Sequence, residues 1–379
     1  MNIPLFKMYW DSEDVRSVTR AVKSGKDWAI GPKIEEFETL LAKYNGVKYA
    51  VSCNSGTSAL HMLMAAYDIG PGDEVIVPSF TFIATANAPI FTGAKPVFAE
   101  IEEESYGLDP DDVEKKITKN TKAILPIHYA GCPCKIRELA KIAKRHNLLL
   151  IEDAAEAMGA KAGSKMAGSL GDASVLSFCA SKIATTGEGG AVLTNSQKIY
   201  NKLRLLRSHG REESENYFTS SKFMDYVQLG YNMRMSNITA ALAVSQLKKI
   251  DKLIKMRQDR AEYLTRKLSP IKEVKPLLPA AGQEHVYQMY TIRVGGGGLR
   301  DKLKDYLNKK GIAAKVYFSP VHLTNFYRDK FGYNEGDFPV TEKLSDQVLT
   351  LPLYPSLKRT EMEYMAGEIE KFFKHYGKK

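Results

Sequence analysis

The chain has 379 residues, 44% hydrophobic and 26% charged, with 54 Lys+Arg against 44 Asp+Glu for a formal net charge of +10. This composition excludes a disordered chain, and the length points to two or three domains, or one large and one small, with ample core to fold without covalent staples. Four cysteines (Cys53, Cys132, Cys134 and Cys179) are too few and too scattered for a disulfide framework and fit a reduced, cytoplasmic setting, while the opening MNIPLFKMYWDSED lacks the pattern of a signal peptide.

In chain order, a helix is expected over 32–44, opened by Pro32 and stopped before Gly46. Apolar strands follow at 48–53, 74–78, 96–99, 123–127, 148–151, 173–178 and 191–194, with helical patterns over 57–67, 110–117 and 136–146 between them. The strands are short and apolar on both faces, as buried parallel strands are. Their alternation with helices argues for an α/β fold with an open, mostly parallel sheet. The uncharged run 75–94 has the length of a membrane span, but Pro78, Asn87, Pro89 and Gly93 make it a buried strand, a turn and a buried helix. Beyond residue 240 the texture becomes that of a smaller α+β domain, 241–379, set against a large domain, 1–240. A long helix is expected over 236–268, a strand over 286–294, a helix over 299–309, a strand over 313–318 and a last helix over 361–375. Lys371, Lys374, Lys378 and Lys379 read as a solvated tail. No nucleic-acid-binding motif accompanies the basic balance, so neither nucleic acid nor membrane is expected as a partner.

Three places carry chemistry. Asn54-Ser55-Gly56-Thr57-Ser58 follows a strand and opens a helix, where free N–H groups and the positive dipole end suit a phosphate. The same residue types also make ordinary helix caps. Asp153 ends an apolar strand, on the side of an open α/β sheet where ligands sit. Lys182 lies just past the strand 173–178 and before Gly187-Glu188-Gly189-Gly190. Desolvation there would lower its pKa toward a nucleophilic neutral amine able to form a Schiff base. Together, a phosphate cradle, an aspartate for a ring nitrogen and a Schiff-base lysine match the needs of pyridoxal 5′-phosphate (PLP). Phe82, after another strand end, is placed to stack on a ring or simply to pack in the core. No G-x-G-x-x-G follows a strand, which argues against a nicotinamide enzyme.

Several segments resemble the DegT/DnrJ/EryC1/StrS family of sugar aminotransferases, of PLP fold type I. They are Gly31-Pro32…Glu35-Glu36-Phe37-Glu38, Ser55-Gly56-Thr57-Ser58-Ala59-Leu60, Pro78-Ser-Phe-Thr-Phe82, Glu152-Asp153-Ala-Ala-Glu156-Ala, Ser177-Phe178…Lys182…Gly187-Glu188-Gly189-Gly190 and Gly230-Tyr231-Asn232-Met-Arg234-Met-Ser236. The resemblance implies a large PLP domain with a seven-stranded sheet and a small C-terminal domain. It implies that Lys182 holds the cofactor and shuttles protons, Asp153 pairs with the ring nitrogen and Glu156 sits near the ring 3-oxygen. It further implies that Phe82 stacks on the ring, that Gly56, Thr57, Ser58 and Ser177 hold the phosphate, and that Asn232 reaches the phosphate of a neighbouring subunit in a homodimer. Relatives with His at the lysine position act as dehydratases, so Lys182 favours transamination.

The run Thr185-Thr186-Gly187-Glu188-Gly189-Gly190 and the segment 28–32 are most similar to perosamine synthases. The expected substrates are therefore L-glutamate and a nucleotide-linked 4-keto-6-deoxy sugar, in amino-sugar, cell-surface polysaccharide or lipopolysaccharide O-antigen biosynthesis. Trp28, Tyr317 and His322 are candidate sugar or nucleotide contacts, with ordinary packing as the alternative. A 3-keto sugar or cyclitol aminotransferase and a non-catalytic regulator on the same fold are the rival readings. Two departures stand out. Glu156 replaces a common Gln, so it needs a proton or a positive partner, or faces elsewhere. Lys135 stands where Asp is frequent, beside a Cys132-x-Cys134 pair with too few companions for a metal site.

Overall fold

A computed structural model describes residues 1–212 and 220–376. Its central sheet has seven strands: β1 (Tyr49–Cys53), β2 (Glu74–Pro78), β3 (Lys95–Ala99), β4 (Thr121–Ile124), β5 (Leu149–Asp153), β6 (Ala173–Ser177) and β7 (Gly190–Thr194). They lie in the order β1-β7-β6-β5-β4-β2-β3. Only β7 runs against its neighbours, pairing antiparallel with β1 and β6; the remaining pairs are parallel. The expected seven-strand α/β sheet is therefore present. Parallel strands need crossovers, and helices such as Gly56–Ala66, Ile83–Phe91 and Ile136–Arg145 provide them. The carboxyl ends of the parallel strands accordingly share one edge, and the segments that follow β1, β2, β5 and β6 start there.

The uncharged run 75–94 forms β2 and the helix Ile83–Phe91, as expected. Among the described residues no helix is long and apolar enough to cross a membrane. Four helices have no counterpart among the sequence expectations: Ser12–Lys23, Gln197–Arg207, Asn325–Phe331 and Pro339–Gln347. The first is opened by a capping box, in which Asp11 and Asp14 each accept the other's backbone N–H.

The pattern over 236–268 is two helices rather than one, Asn237–Leu247 and Ile250–Leu268. The break sits where an almost wholly buried helix gives way to an amphipathic one. There Lys249 turns in to meet Asp11 at 2.6 Å and Asp14 at 3.0 Å. A three-stranded antiparallel sheet joins Val274–Pro276, Tyr290–Val294 and Val348–Leu351. Its core includes Leu264, Leu268, Ile292, Leu303 and Ile369, and Ile3 from the N-terminus is buried with them. Ile3 donates its N–H to the Gly311 carbonyl at 2.7 Å.

Two expected strands change. Residues 286–289 do not extend the strand Tyr290–Val294. They turn instead to the loop after β4, with Val286 N–H on the Gly131 carbonyl at 3.1 Å and Met289 N–H on the Ala130 carbonyl at 3.2 Å. Among the described residues, 313–318 make one bridge, between Lys315 and Thr350, and Tyr317 and Phe318 line a cavity instead of extending the strand. In the final helix, Arg359–Tyr376, Lys371 and Lys374 pair with Glu368 and Glu370; Lys378 and Lys379 lie outside the described residues.

Candidate active site

At the carboxyl edge of the sheet lies a cavity of about 370 Å³. Gly56, Thr57, Phe82, Asp153, Glu156, Ser177, Lys182 and Tyr317 all line it. The sequence spread these residues over more than half the chain, and the strand ends gather them.

The helix Gly56–Ala66 points its first turn at the cavity. Ser55 is its N-cap, accepting the Ser58 N–H at 3.0 Å. The remaining first-turn N–H groups have no partner within the helix. Gly56 lies so close to Ser177 that a Cβ there would meet the Ser177 Cβ at 3.1 Å and its Oγ at 3.3 Å. Gly190 at the start of β7 is tighter still, since a Cβ would fall 2.3 Å from the Ser55 carbonyl oxygen and 2.6 Å from the Gly56 nitrogen. The Gly-rich turn after the lysine thus lets β7 press against the helix start.

Asp153 ends β5 almost wholly buried. One carboxylate oxygen accepts the Thr85 hydroxyl at 2.7 Å and the other accepts the Ala155 N–H at 3.1 Å. Desolvation outweighs both bonds and the nearby Lys182, and raises its pKa above the ordinary carboxylate value. An anion in this position calls for a positive partner from the cavity. Phe82 is 57% exposed despite its place in the cavity wall, with Phe318 its one ring neighbour among the described residues, at 6.3 Å. Its face is free for a planar ligand.

Lys182 Nζ lies 3.2 Å from Glu156 Oε1, and the Glu156 Oε2 accepts the Ala130 N–H at 2.9 Å. Glu156 therefore has the positive partner that its carboxylate requires. The pairing also corrects the expectation of a lowered lysine pKa. Burial does pull it down, but the charge of Glu156, helped by Cys179 and Asp153, holds it above the ordinary value.

The other candidates lie elsewhere. Ser58 does not line the cavity; its hydroxyl bonds to Ser55 within the capping turn. Asn232 is exposed, at an isolated bridge to Ser208, and its neighbour Met233 accepts the Asn54 N–H at 3.0 Å. Trp28 is half-exposed and away from the cavity, its indole N–H on the Val22 carbonyl at 3.2 Å and its own carbonyl capping the helix Asn237–Leu247. His322 is fully buried, with Nδ1 on the Ser79 hydroxyl at 2.6 Å and Nε2 on Glu342 at 3.1 Å. Both ring nitrogens are taken, so the structure does not bring it to a substrate. Cys132 and Cys134 are buried, and among the described residues no group of three or more His, Cys, Asp or Glu could hold a metal ion.

Ser55, part of the expected phosphate turn, also lines the cavity, and so do Leu5, Phe6, Gln288 and Phe318, which the sequence did not single out. Those four arrive from chain regions with no motif.

A profile of the DegT/DnrJ/EryC1/StrS aminotransferase family matches residues 9–370. The chain belongs to this family. It is 38% identical over 346 residues to the GDP-perosamine synthase of Caulobacter vibrioides, covering 90% of each chain. DesV of S. venezuelae superposes with a TM-score of 0.90 at 32% identity, covering 98% of each chain. The PLP-form of Spr1654 from Streptococcus pneumoniae superposes with a TM-score of 0.93 at 27% identity, covering 99% of each chain. The chain is thus a PLP-dependent aminotransferase. The residues present fit that cofactor: a glycine-built cradle at a helix N-terminus, a buried acid short of a cation, an open phenyl face and an amine in one cavity.

Proposed function

We propose that this enzyme moves an amino group from L-glutamate to a nucleotide-linked 4-keto-6-deoxy sugar, GDP-linked as for perosamine, in amino-sugar or cell-surface polysaccharide biosynthesis. The observation that carries the reading is the amine of Lys182 meeting Glu156 in the same cavity as Asp153, Phe82 and the glycine cradle. The similarity to a GDP-perosamine synthase and the Thr185–Gly190 run support the choice of sugar.

In this reading the first turn of the helix Gly56–Ala66, with Thr57 and Ser177, holds the cofactor's phosphate, Ser58 serving through the Ser55 cap. Phe82 covers one ring face, and Asp153 balances a protonated ring nitrogen. PLP supplies the electron sink for the substrate carbon that loses its proton. Lys182 Nζ takes that proton and returns it on the other side of the reacting C–N bond, and Glu156 holds Nζ in place between transfers. Phe318, Leu351 and Leu353 make an apolar wall that keeps water from the reacting atoms.

The exposed Asn232 is assigned to the phosphate of a second subunit, which makes the working form a homodimer. The division into a large unit, 1–240, and a small one, 241–379, is kept as part of the proposal, with a cytoplasmic setting.

The test is turnover with glutamate and a panel of GDP-, UDP- and dTDP-linked keto sugars, product masses being read out. Amination of a 4-keto-6-deoxy sugar supports the reading, and amination of a 3-keto sugar or cyclitol alone replaces it. A yellow band that borohydride bleaches and that Lys182→Ala lacks separates an enzyme from a cofactor-free regulator.

A further inference from the structure

The segment 285–289 comes from far along the chain, yet it is tied into the lysine loop. Gln288 is almost wholly buried and lines the same cavity as Lys182. Its Nε2 donates to the Ser181 carbonyl, next to Lys182, at 2.7 Å. A carbonyl can only accept, so this bond fixes which way the amide faces. Oε1 is the end left over. Among the described residues it accepts no hydrogen bond, and it is not one of the sealed-off buried atoms without a partner. It is an unpaired acceptor with accessible surface, on a residue that lines the cavity.

The segment is held firmly enough for this to matter. Arg257 is buried in the helix Ile250–Leu268, and Nη1 donates to the carbonyls of Tyr287, Gln288 and Leu353 at 3.1, 3.3 and 3.0 Å. On the other side, Met289 N–H bonds to the Ala130 carbonyl, and Ala130 N–H holds Glu156. Gln288 is therefore anchored through its own backbone and its own amide, with one acceptor left free.

A neutral acceptor repels a carboxylate and receives a hydroxyl. Of the two substrates in the reading above, glutamate beyond its amine offers carboxylates, whereas the keto sugar offers a hydroxyl beside its carbonyl. We infer that Gln288 is a specificity residue for the acceptor half of the reaction, with Oε1 accepting the hydroxyl adjacent to the keto carbon and Nε2 holding the Ser181–Lys182 backbone. This inference rests on the sugar-aminotransferase reading.

The experiment crosses Gln288→Leu with a substrate change. The two half-reactions are followed separately in single turnovers, using glutamate and then the preferred keto sugar or its analogue lacking the adjacent hydroxyl. Removing a neutral hydrogen bond costs the wild-type enzyme about tenfold or more in kcat/KM for the sugar. Gln288→Leu shows the same loss with the full sugar, none further with the deoxy analogue, and a glutamate half-reaction that falls less than the sugar half-reaction. Gln288→Lys, which keeps a donor for Ser181 and lacks the acceptor, shows the same loss with the full sugar and none further with the deoxy analogue. Calorimetric binding of the amino-sugar product gives a readout independent of turnover, and it weakens in both variants.

Equal losses from the hydroxyl deletion in wild type and variant overturn the inference, as does a glutamate half-reaction that falls as far as the sugar one. A wild-type enzyme that aminates no nucleotide-linked sugar overturns the substrate reading as well, which separates the two failures.

Discussion

Lys182 Nζ and Glu156 Oε1 stand 3.2 Å apart at the base of the cavity, and the other oxygen of Glu156 is fixed by the Ala130 N–H. The pair stores the amine in its protonated form, since the lysine pKa lies above its ordinary 10.5 despite the burial that works against it. The amine must lose its proton to attack an aldehyde. PLP uptake by the cofactor-free protein should therefore speed up as pH rises toward and past 10.5. Glu156→Gln removes the largest raising influence and leaves desolvation in command. Uptake at neutral pH should then rise, by about tenfold for each unit the lysine pKa falls. Stopped-flow absorbance measures it, and equal rates for the two proteins would show that amine ionisation does not limit uptake. The linkage has the matching sign. A raised folded-state pKa stabilises the cofactor-free wild type at neutral pH, and that contribution fades as pH climbs through the folded value.

Asp153 has the opposite balance. Its carboxyl pKa is raised by burial, so in the cofactor-free fold its ionisation at neutral pH costs stability. Asp153→Asn removes that charge. Its oxygen can still accept the Ala155 N–H, while its amide can donate to Thr85, whose hydroxyl also meets Thr81 at 2.7 Å. The cofactor-free variant should melt at or above the wild-type temperature, and transamination should fall about 10²–10³-fold, the range for losing one electrostatic stabiliser. A cofactor-free variant that melts well below wild type would mean that the carboxylate's hydrogen bonds outweigh its desolvation.

Gly190→Ala tests the cradle. A Cβ there would press on the Ser55 carbonyl oxygen at 2.3 Å and the Gly56 nitrogen at 2.6 Å, both of them backbone atoms that cannot swing aside. The helix start must shift, at about 1–3 kcal/mol for an overpacked site. PLP affinity should drop, by equilibrium titration, with the sheet otherwise folded by circular dichroism. Gly187→Ala, where a Cβ would meet nothing within 4 Å but φ is +85°, strains only the loop. It should disturb cofactor affinity less.

How much of this was legible in the sequence follows from where each residue sits. Asp153, Ser177 and Gly56 flank the ends of apolar strands, so hydrophobic patterning placed them on one edge of a sheet, and Lys182 follows within a few residues. Phe82 was found the same way, although its openness to the cavity depends on Phe318, which arrives from a different segment. His322 shows the limit. Its loop position suggested a ligand contact, but Ser79 and Glu342 are 243 and 20 residues away in sequence and take both ring nitrogens. Gln288 fails in reverse. It lies in what patterning read as a strand, and only tertiary bonds to residues 130 and 131 pull that stretch out of the sheet and into the cavity wall. The break at Lys248–Lys249 likewise depends on Asp11 and Asp14, more than 230 residues earlier.

Two of the buried histidines, His285 and His322, predict how the protein meets acid. Burial pushes the His285 pKa from 6.5 down to about 3, and lowers that of His322 below 6.5 despite the Glu342 carboxylate. Both are neutral in the fold. Below pH 6.5 the unfolded chain takes up protons at these rings more readily than the folded chain, so stability falls as pH falls, by up to ~1.4 kcal/mol per pH unit for each ring while it stays neutral in the fold. For His285 the loss runs from pH 6.5 to about 3, where the folded ring itself protonates. Its Nδ1 accepts the Tyr287 N–H at 2.9 Å, and the ring stacks on Tyr287 at 3.9 Å between centroids. His285→Asn can supply an oxygen for that N–H without a titrating ring. Some stability at neutral pH should go with the lost stacking, but the slope of unfolding free energy against pH, from urea melts between pH 6.5 and 4, should flatten by one proton. An unchanged slope would mean that His285 protonates in the folded protein.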